Sequence, residues 1–159
     1  MRKADREIQE AEGILSILKK ADVCRLGLFA EGNVYIVPLN FGFDLSDDGV
    51  LTLYFHCANE GRKLDMIAKN PDVCFEMDIA SDYVPPSGGS ACSASMNYAS
   101  IIGNGIVEVL QNNDERILGL TKLMQHYGNE DGFHFDDKAL RLTTVLRLRA
   151  RSYTGKRRA

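Results

Sequence analysis

The apolar residues at the start of the chain are spaced like one face of a helix. They recur every three or four positions between residues 5 and 20, which predicts an amphipathic helix there. These apolar positions are Ile8, Ala11, Leu15 and Leu18. Short apolar segments separated by polar turns follow, at 23–29, 34–43 and 50–55. Three short strands joined by tight turns predict an antiparallel meander.

The second half of the chain mixes helical and strand-like segments. In chain order, the predicted elements are a helix at 60–70, a strand at 72–79, a strand at 97–110, a helix at 114–126 and a strand at 143–153. Asn112 and Glu115 resemble a capping box at the start of the later helix. Gly103 and Gly105 predict a bulge or a close backbone approach. Long loops are expected at 80–95 and 128–137.

The order of these elements favours one fold class. About six strands and three helices are predicted, without a regular alternation of strand and helix. A doubly wound parallel sheet requires that alternation, so we predict a mainly β (α+β) protein, a small antiparallel barrel with peripheral helices. A length of 159 residues favours one domain over 1–159.

Charge and hydropathy exclude some classes of protein. The net charge of −3 argues against a general nucleic-acid binder, although the residues from Lys138 onward include eight Lys or Arg and no acid. The charged residues 1–12 do not resemble a signal peptide, and no apolar segment approaches the ~20 residues of a membrane span. We therefore expect a cytoplasmic protein without a membrane anchor.

The four cysteines do not predict a metal site. None forms a CxxC pair and the three histidines are scattered, so zinc is not expected from the spacing. Cys24 and Cys74 lie inside apolar segments and are predicted to be small core residues.

The segment around 56–63 predicts an anion site. Gly61, Arg62 and Lys63 stand at the start of the helix predicted at 60–70, where free backbone N–H groups and the helix dipole favour an anion such as phosphate. His56 comes just before this segment, where it could donate a hydrogen bond or a proton to a ligand. Pro38 cannot donate a ladder hydrogen bond, so it marks an edge, a bulge or a sharp bend in its strand.

No nucleophilic triad accompanies this anion site. The serines at 87–95 are not part of a G-x-S-x-G elbow, and the acidic pairs lie in predicted turns. An anion site without catalytic machinery of its own is typical of a protein that borrows a cofactor.

Six segments together resemble the pyridoxamine 5′-phosphate oxidase-like, FMN-binding split β-barrel proteins. The similarity is greatest to the branch that includes 5-nitroimidazole reductases, the nitroimidazole resistance proteins. The segments are YIVPLNFGF at 35–43, LYFHCANEGRK at 53–63, NPDVCFE at 70–76, ACSASMNYASIIGNG at 91–105, LMQHYG at 123–128 and TGKRR at 154–158.

The resemblance implies a six-stranded antiparallel split β-barrel and a homodimer with FMN at the subunit interface. It also implies the residues that bind FMN: Val37, Pro38, Leu39, Asn40, His56, Cys57, Ala58, Arg62, Lys63, Tyr98 and Ser100. Arg62 and Lys63 would bind the phosphate, Ser100 would lie near the phosphate or ribityl chain, and His56 would face the substrate as the catalytic residue.

Several functions remain open from the sequence. The first is an FMN-dependent oxidoreductase that transfers electrons from NADH or NADPH to a small acceptor such as a nitroaromatic. The chain contains no nicotinamide-binding fingerprint, so this reductant would dock transiently at the flavin. The alternatives are a non-enzymatic flavin- or haem-binding sensor, with His56 as the haem ligand, and a reductase that uses the deazaflavin coenzyme F420.

Overall fold

The structure, a computed structural model, describes residues 4–128 and 132–158. Four α-helices occur in these ranges: α1 (Ala11–Lys20), α2 (Arg62–Lys69), α3 (Asn113–His126) and α4 (Asp137–Arg141). The strands are β1 (Glu7–Ile8), β2 (Cys24–Ala30), β3 (Asn33–Leu39), β4 (Gly42–Leu45), β5 (Leu51–Cys57), β6 (Asp72–Val84), β7 (Ser95–Val109) and β8 (Thr144–Arg158). No helix in the described ranges is long and apolar enough to cross a membrane.

The strands form one antiparallel sheet in the order β3-β2-β6-β7-β8-β5-β4, and β1 pairs with β8. The predicted mainly β fold, a split barrel with peripheral helices, is confirmed. Eight strands are present in the described residues where about six were predicted. The difference arises because the segment predicted as one strand at 34–43 is divided into β3 and β4, and because β1 was not foreseen.

The division between β3 and β4 occurs just after Pro38, at residues 40 and 41. Pro38 pairs with Arg25 on β2, and β3 is a terminal strand of the sheet, so the edge position predicted for this proline is confirmed. Phe41 then turns into the core, where it is fully buried. Its N–H leaves the ladder and donates to the Tyr127 hydroxyl at 3.1 Å, which satisfies a group that burial would otherwise leave unpaired.

The first helix begins at Ala11 instead of near residue 5, because the preceding residues join the sheet. Ile8 lies opposite Gly155 on β8, so it belongs to an extended segment. The helix then buries Ile14, Ile17 and Leu18 against the barrel. Burial of this face, and not helix propensity alone, stabilises a helix of only ten residues.

The two cysteines that the sequence assigned to the core have different environments. Cys24 is fully buried, and burial raises the pKa of its thiol to about 12. Cys74 is exposed, so its predicted core position is wrong. The cause is the alternation of β6, whose buried residues Val73 and Phe75 flank it on the opposite face.

The long strands β7 and β8 contain the predicted bulge. Asn104 lies opposite Ser152 and Gly105 lies opposite Ala150, so Arg151 is an extra residue on β8. The core-facing positions of β8 therefore change from even to odd numbers. Leu146 and Leu148 are buried before the bulge, and Gly155 is buried after it.

The predicted capping box at the start of α3 is formed only in part. Asn112 caps α3 as expected, because its side chain accepts from the N–H groups of Asp114 and Glu115. The second half of the capping box is replaced, since the Glu115 carboxylate pairs with Arg147 on β8 at 2.8 Å. Arg147 also pairs with Glu108 at 2.8 Å, so this outward arginine of β8 is matched with two acids.

The predicted loops are shorter than expected. Strands β6 and β7 continue into the segment predicted as a loop at 80–95, where Tyr83 pairs with Met96. A register shift between Ala80 and Tyr83 explains why the alternation was not recognisable there. In the loop predicted at 128–137, residues 129–131 lie outside the described residues, and α4 begins at Asp137.

We predict that Gly103→Ala destabilises the fold. A Cβ at this position would lie 2.7 Å from the Ser152 carbonyl oxygen and would overlap the Phe75 ring, so the central strands would have to separate. The free energy of unfolding in urea should fall by about 1–3 kcal/mol.

The matched control is Gly27→Ala, in another strand of the same sheet. Its Cβ would meet the Cys74 carbonyl oxygen at 3.5 Å, which is an ordinary contact. This variant should change the unfolding free energy by less than about 0.5 kcal/mol. Equal losses in both variants would contradict the assigned close approach.

Candidate functional site

The start of α2 has the backbone geometry of an anion site. Gly61 precedes the helix with φ 135°, a conformation that favours glycine, and no side chain caps the helix. The N–H groups of Arg62 and Lys63 stand before the first intrahelical hydrogen bonds, so they remain available to a ligand. Two cationic side chains and the positive end of the helix dipole coincide at this point, as the sequence predicted.

A cation–π contact joins this helix start to β3. The Arg62 guanidinium carbon lies 4.6 Å from the centroid of the Tyr35 ring. The sequence did not single out Tyr35 as a site residue. Its half-buried position on β3 holds the guanidinium beside the strand that contains residues 37–39.

The end of β5 brings the other predicted residues next to α2. His56 and Ala58 are exposed, and Cys57 between them is half-buried. Burial raises the pKa of the Cys57 thiol, and the nearby positive charge of Lys63 opposes that effect in part. The thiol is therefore held neutral, as an apolar part of the surface and not as a nucleophile.

Asn59 fixes the connection between β5 and α2. Its side-chain oxygen accepts from the Thr144 hydroxyl at 2.9 Å, and its amide N–H donates to the Arg141 carbonyl oxygen at 2.7 Å. Sequence reasoning missed Asn59 because both partners are more than 80 residues away along the chain. Together the two bonds position residues 58–61 against the start of β8.

The predicted residues of β3 divide between two faces. Val37 and Leu39 pack against the core, whereas Pro38 and Asn40 are exposed. Because β3 is a terminal strand, the edge that does not face β2 has no strand partner in the described sheet. Its backbone groups can therefore bind a ligand.

Asn40 is held at the end of β3 by α3. Its amide N–H groups donate to the Asp22 carbonyl oxygen at 3.2 Å and to the Tyr127 hydroxyl at 3.1 Å. The Tyr127 hydroxyl itself donates to the Asp22 carbonyl oxygen at 2.7 Å. Tyr127 thus positions the chain bend that follows the predicted cofactor strand.

Tyr98 and Ser100 lie in a different part of the chain. Both are on β7, which is separated from β5 by β8 and from β3 by β6 and β2. Hydrogen bonds to Lys156 and Arg6 lower the pKa of the Tyr98 phenol. Ser100 lies between Asp78 and Lys156 in the sheet. The structure does not bring these two residues to Arg62 within one chain.

Among the described residues, no three His, Cys, Asp or Glu side chains are grouped so that they could hold a metal ion. The candidate site is the anion cradle at the start of α2, which lies beside the free edge of β3 and the end of β5.

The chain is similar to known proteins over most of its length. The family model described as pyridoxamine 5′-phosphate oxidase matches residues 10–157. A solved structure of a candidate 5-nitroimidazole antibiotic resistance protein from Bacteroides thetaiotaomicron is 34% identical, with a TM-score of 0.79. The match covers 94% of this chain and 85% of that chain. A comparison with curated proteins gives no match.

Two more distant structures share the fold. The FAD and heme binding protein from Mycobacterium smegmatis is 18% identical, with a TM-score of 0.81 over 96% of this chain and 73% of that chain. The flavocytochrome Anf3 from Azotobacter vinelandii is 18% identical, with a TM-score of 0.77 over 100% of this chain and 72% of that chain.

Proposed function

Because the chain belongs to the pyridoxamine 5′-phosphate oxidase family, we propose that it is a cytoplasmic FMN-dependent oxidoreductase. It transfers electrons from NADH or NADPH to a small acceptor such as a nitroaromatic. The observation that supports this proposal best is the uncapped start of α2, where Arg62 and Lys63 stand beside the free edge of β3. The 34% identity to a candidate 5-nitroimidazole resistance protein supports the choice of acceptor.

The anion cradle fits the phosphate of FMN. Arg62 can make a bidentate contact, Lys63 supplies a second positive charge, and Gly61 adds no side chain that would hinder a close approach. The Tyr35 ring holds the Arg62 guanidinium in place before the ligand arrives, which reduces the entropy lost on binding.

The flat ring of the cofactor would lie along the exposed end of β3. Residues 37–40 present unpaired backbone groups there, and His56, Cys57 and Ala58 at the end of β5 continue the same surface. Bound in this place, FMN supplies hydride chemistry that the side chains themselves lack. The reductant docks transiently, since no nicotinamide fingerprint occurs in the sequence.

His56 is the residue that we assign to the substrate side. It is exposed, and its side chain has no hydrogen-bond partner among the described residues, so the ring is available to a ligand. A nitro group that accepts two electrons also takes up two protons and loses water. The His56 side chain can donate a hydrogen bond or one of these protons.

A homodimer would complete the site. Tyr98 and Ser100 are too far along the sheet to join Arg62 in one chain, so we assign them to the cofactor of the partner subunit. An exposed apolar surface on β2 and β3 supports this assembly, because Phe29, Val34 and Ile36 are 53%, 69% and 63% exposed. Phe29 and Val34 lie opposite each other, so the surface is continuous.

The absorption spectrum of the freshly purified protein tests the cofactor. We expect flavin absorption, or uptake of added FMN, because the cradle matches its phosphate. Bleaching on anaerobic addition of NADH or NADPH, followed by recovery with a nitroaromatic, would support the full reaction. A haem Soret band, a preference for coenzyme F420, or flavin that is never reduced would contradict the corresponding part of the proposal.

The double variant Arg62→Ala/Lys63→Ala tests the phosphate cradle. We expect FMN affinity to fall about a hundredfold, because a charge-assisted contact contributes roughly 1.5–3 kcal/mol. The control Lys138→Ala/Arg141→Ala removes the same charge from exposed positions on α4 and should keep the affinity. Fluorescence titration of FMN measures both, and similar affinities in the two variants would refute the assigned phosphate site.

The variant Ile36→Glu tests the dimer. A charge in the centre of the apolar surface should prevent association, because it would be buried without a partner. Sedimentation equilibrium should give a dimer for the wild type and a monomer for this variant, with weaker FMN binding. Val50→Glu, at an exposed apolar residue outside this surface, is the control that should remain dimeric. A monomeric wild type that binds FMN would refute the proposal that two subunits share the FMN site.

A further inference from the structure

A cavity of about 340 Å³ lies beside His56, between the end of β5 and the second half of α3. Asn40 and His56 contribute polar groups, and the Tyr127 hydroxyl is already bonded to the Asp22 carbonyl oxygen. Leu120, Leu123 and Tyr127 of the α3 region form one wall, and Phe135 from the segment before α4 forms another. The cavity is thus next to the surface that the proposed function gives to the flavin ring, but it is formed largely by a helix outside that surface.

The lining indicates the chemistry of the ligand. No Lys, Arg, Asp or Glu side chain is among the described residues that line the cavity, and most of the lining is apolar. Burial of an ion without a partner is unfavourable, so a neutral ligand is preferred. The volume is near the lower end of the roughly 300–1,000 Å³ of small-molecule pockets, which suits a single substituted ring.

The two polar groups are placed to orient such a ring. The amide N–H groups of Asn40 are occupied by Asp22 and Tyr127, and neither of these bonds uses the Asn40 amide oxygen. The His56 ring has no partner among the described residues. A ligand oxygen can therefore accept from His56, while the apolar part of the ligand contacts α3.

The helical wall is held rigidly in place. At Gly119, next to Leu120, a Cβ would lie only 2.9 Å from the Tyr54 ring and 3.0 Å from Val145, so the helix is in close contact with β5 and β8. At the other end, the Tyr127 hydroxyl is bonded to the Asp22 carbonyl oxygen. A wall fixed at both ends can discriminate ligands by size.

We propose that this cavity binds the electron acceptor and selects neutral, flat molecules of about one aromatic ring, with Leu120 as a residue that sets the size limit. This inference rests on the proposed function, since it places the acceptor beside the flavin. It adds the location of the acceptor site, the charge of the ligand and a specificity-determining residue on α3.

The test compares two probes and two matched variants. The probes are neutral 4-nitrobenzyl alcohol and the anion 4-nitrobenzoate, whose binding is measured by equilibrium dialysis with both FMN-loaded and FMN-free protein. Leu120→Trp should fill the cavity, whereas Leu118→Trp places the same side chain at a 46% exposed position of the same helix.

We expect the wild type to bind the neutral probe about tenfold more tightly than the anion, a difference of ~1.4 kcal/mol. Leu120→Trp should weaken the binding of the neutral probe by a similar factor. Leu118→Trp should leave the affinity for this probe unchanged. FMN titration should give wild-type affinity in both variants, because neither residue belongs to the phosphate cradle.

A second variant at the same position keeps the proposal testable if Leu120→Trp does not fold. Leu120→Ala enlarges the cavity without adding bulk, so it should improve the binding of 1-nitronaphthalene relative to 4-nitrobenzyl alcohol. Equal effects of the variants at 118 and 120, or equal binding of the neutral and anionic probes, would overturn the cavity assignment. If FMN binding and reduction persist in that case, only the acceptor site has failed. Failure of the wild type to bind FMN would instead refute the proposed function.

Discussion

The central strand β7 is the element on which the rest of the sheet depends. It pairs with β6 along one edge and with β8 along the other, over most of its 15 residues. The shorter strands attach through these two neighbours, since β2 and β3 follow β6 whereas β5 and β4 follow β8. The site has two halves, β3 on the β6 side of the sheet and β5 on the β8 side. Their relative placement therefore depends on the close backbone approach at Gly103 and Gly105.

The two halves of the site reach each other through packing outside this ladder. Helix α2 follows β5 in the chain but contacts β3 through Arg62 and Tyr35. Helix α3 packs against β5 at Gly119, and Tyr127 at its end fixes the end of β3. Each helix thus connects strands from opposite ends of the sheet order, with β3 at one end and β5 near the other.

Local patterns in the sequence were sufficient to predict the class of fold and the geometry of the helix start at Gly61, Arg62 and Lys63. Gly61, Arg62 and Lys63 are consecutive, and the strand before them and the helix after them have clear periodicities, so their geometry followed from local rules. The cap at Asn112, the edge position of Pro38 and the bulge near Gly105 were also predictable for this reason. The role of His56 stays a prediction.

Contacts between segments that are distant in the sequence could not be predicted from those local rules. Asn59 bonds to Thr144 and Arg141, and Tyr127 bonds to Asp22, over separations of 82 to 105 residues. Nothing near these residues in the sequence indicates the partner. The exposed position of Cys74 was missed because its apolar neighbours were given more weight than the alternation of β6, which places Cys74 on the same face as Asp72 and Glu76.

The bulge at Arg151 also constrains how the chain can vary in length. By exchanging even for odd core positions, it turns Lys156 and Arg158 to the outer face, near Tyr98, while Gly155 remains under α1. Substitutions around it change one side chain at a time. An insertion or deletion of one residue would invert the inner and outer faces of the whole terminal part of β8. Evolution of this family member can thus alter residue types here far more freely than it can alter their number.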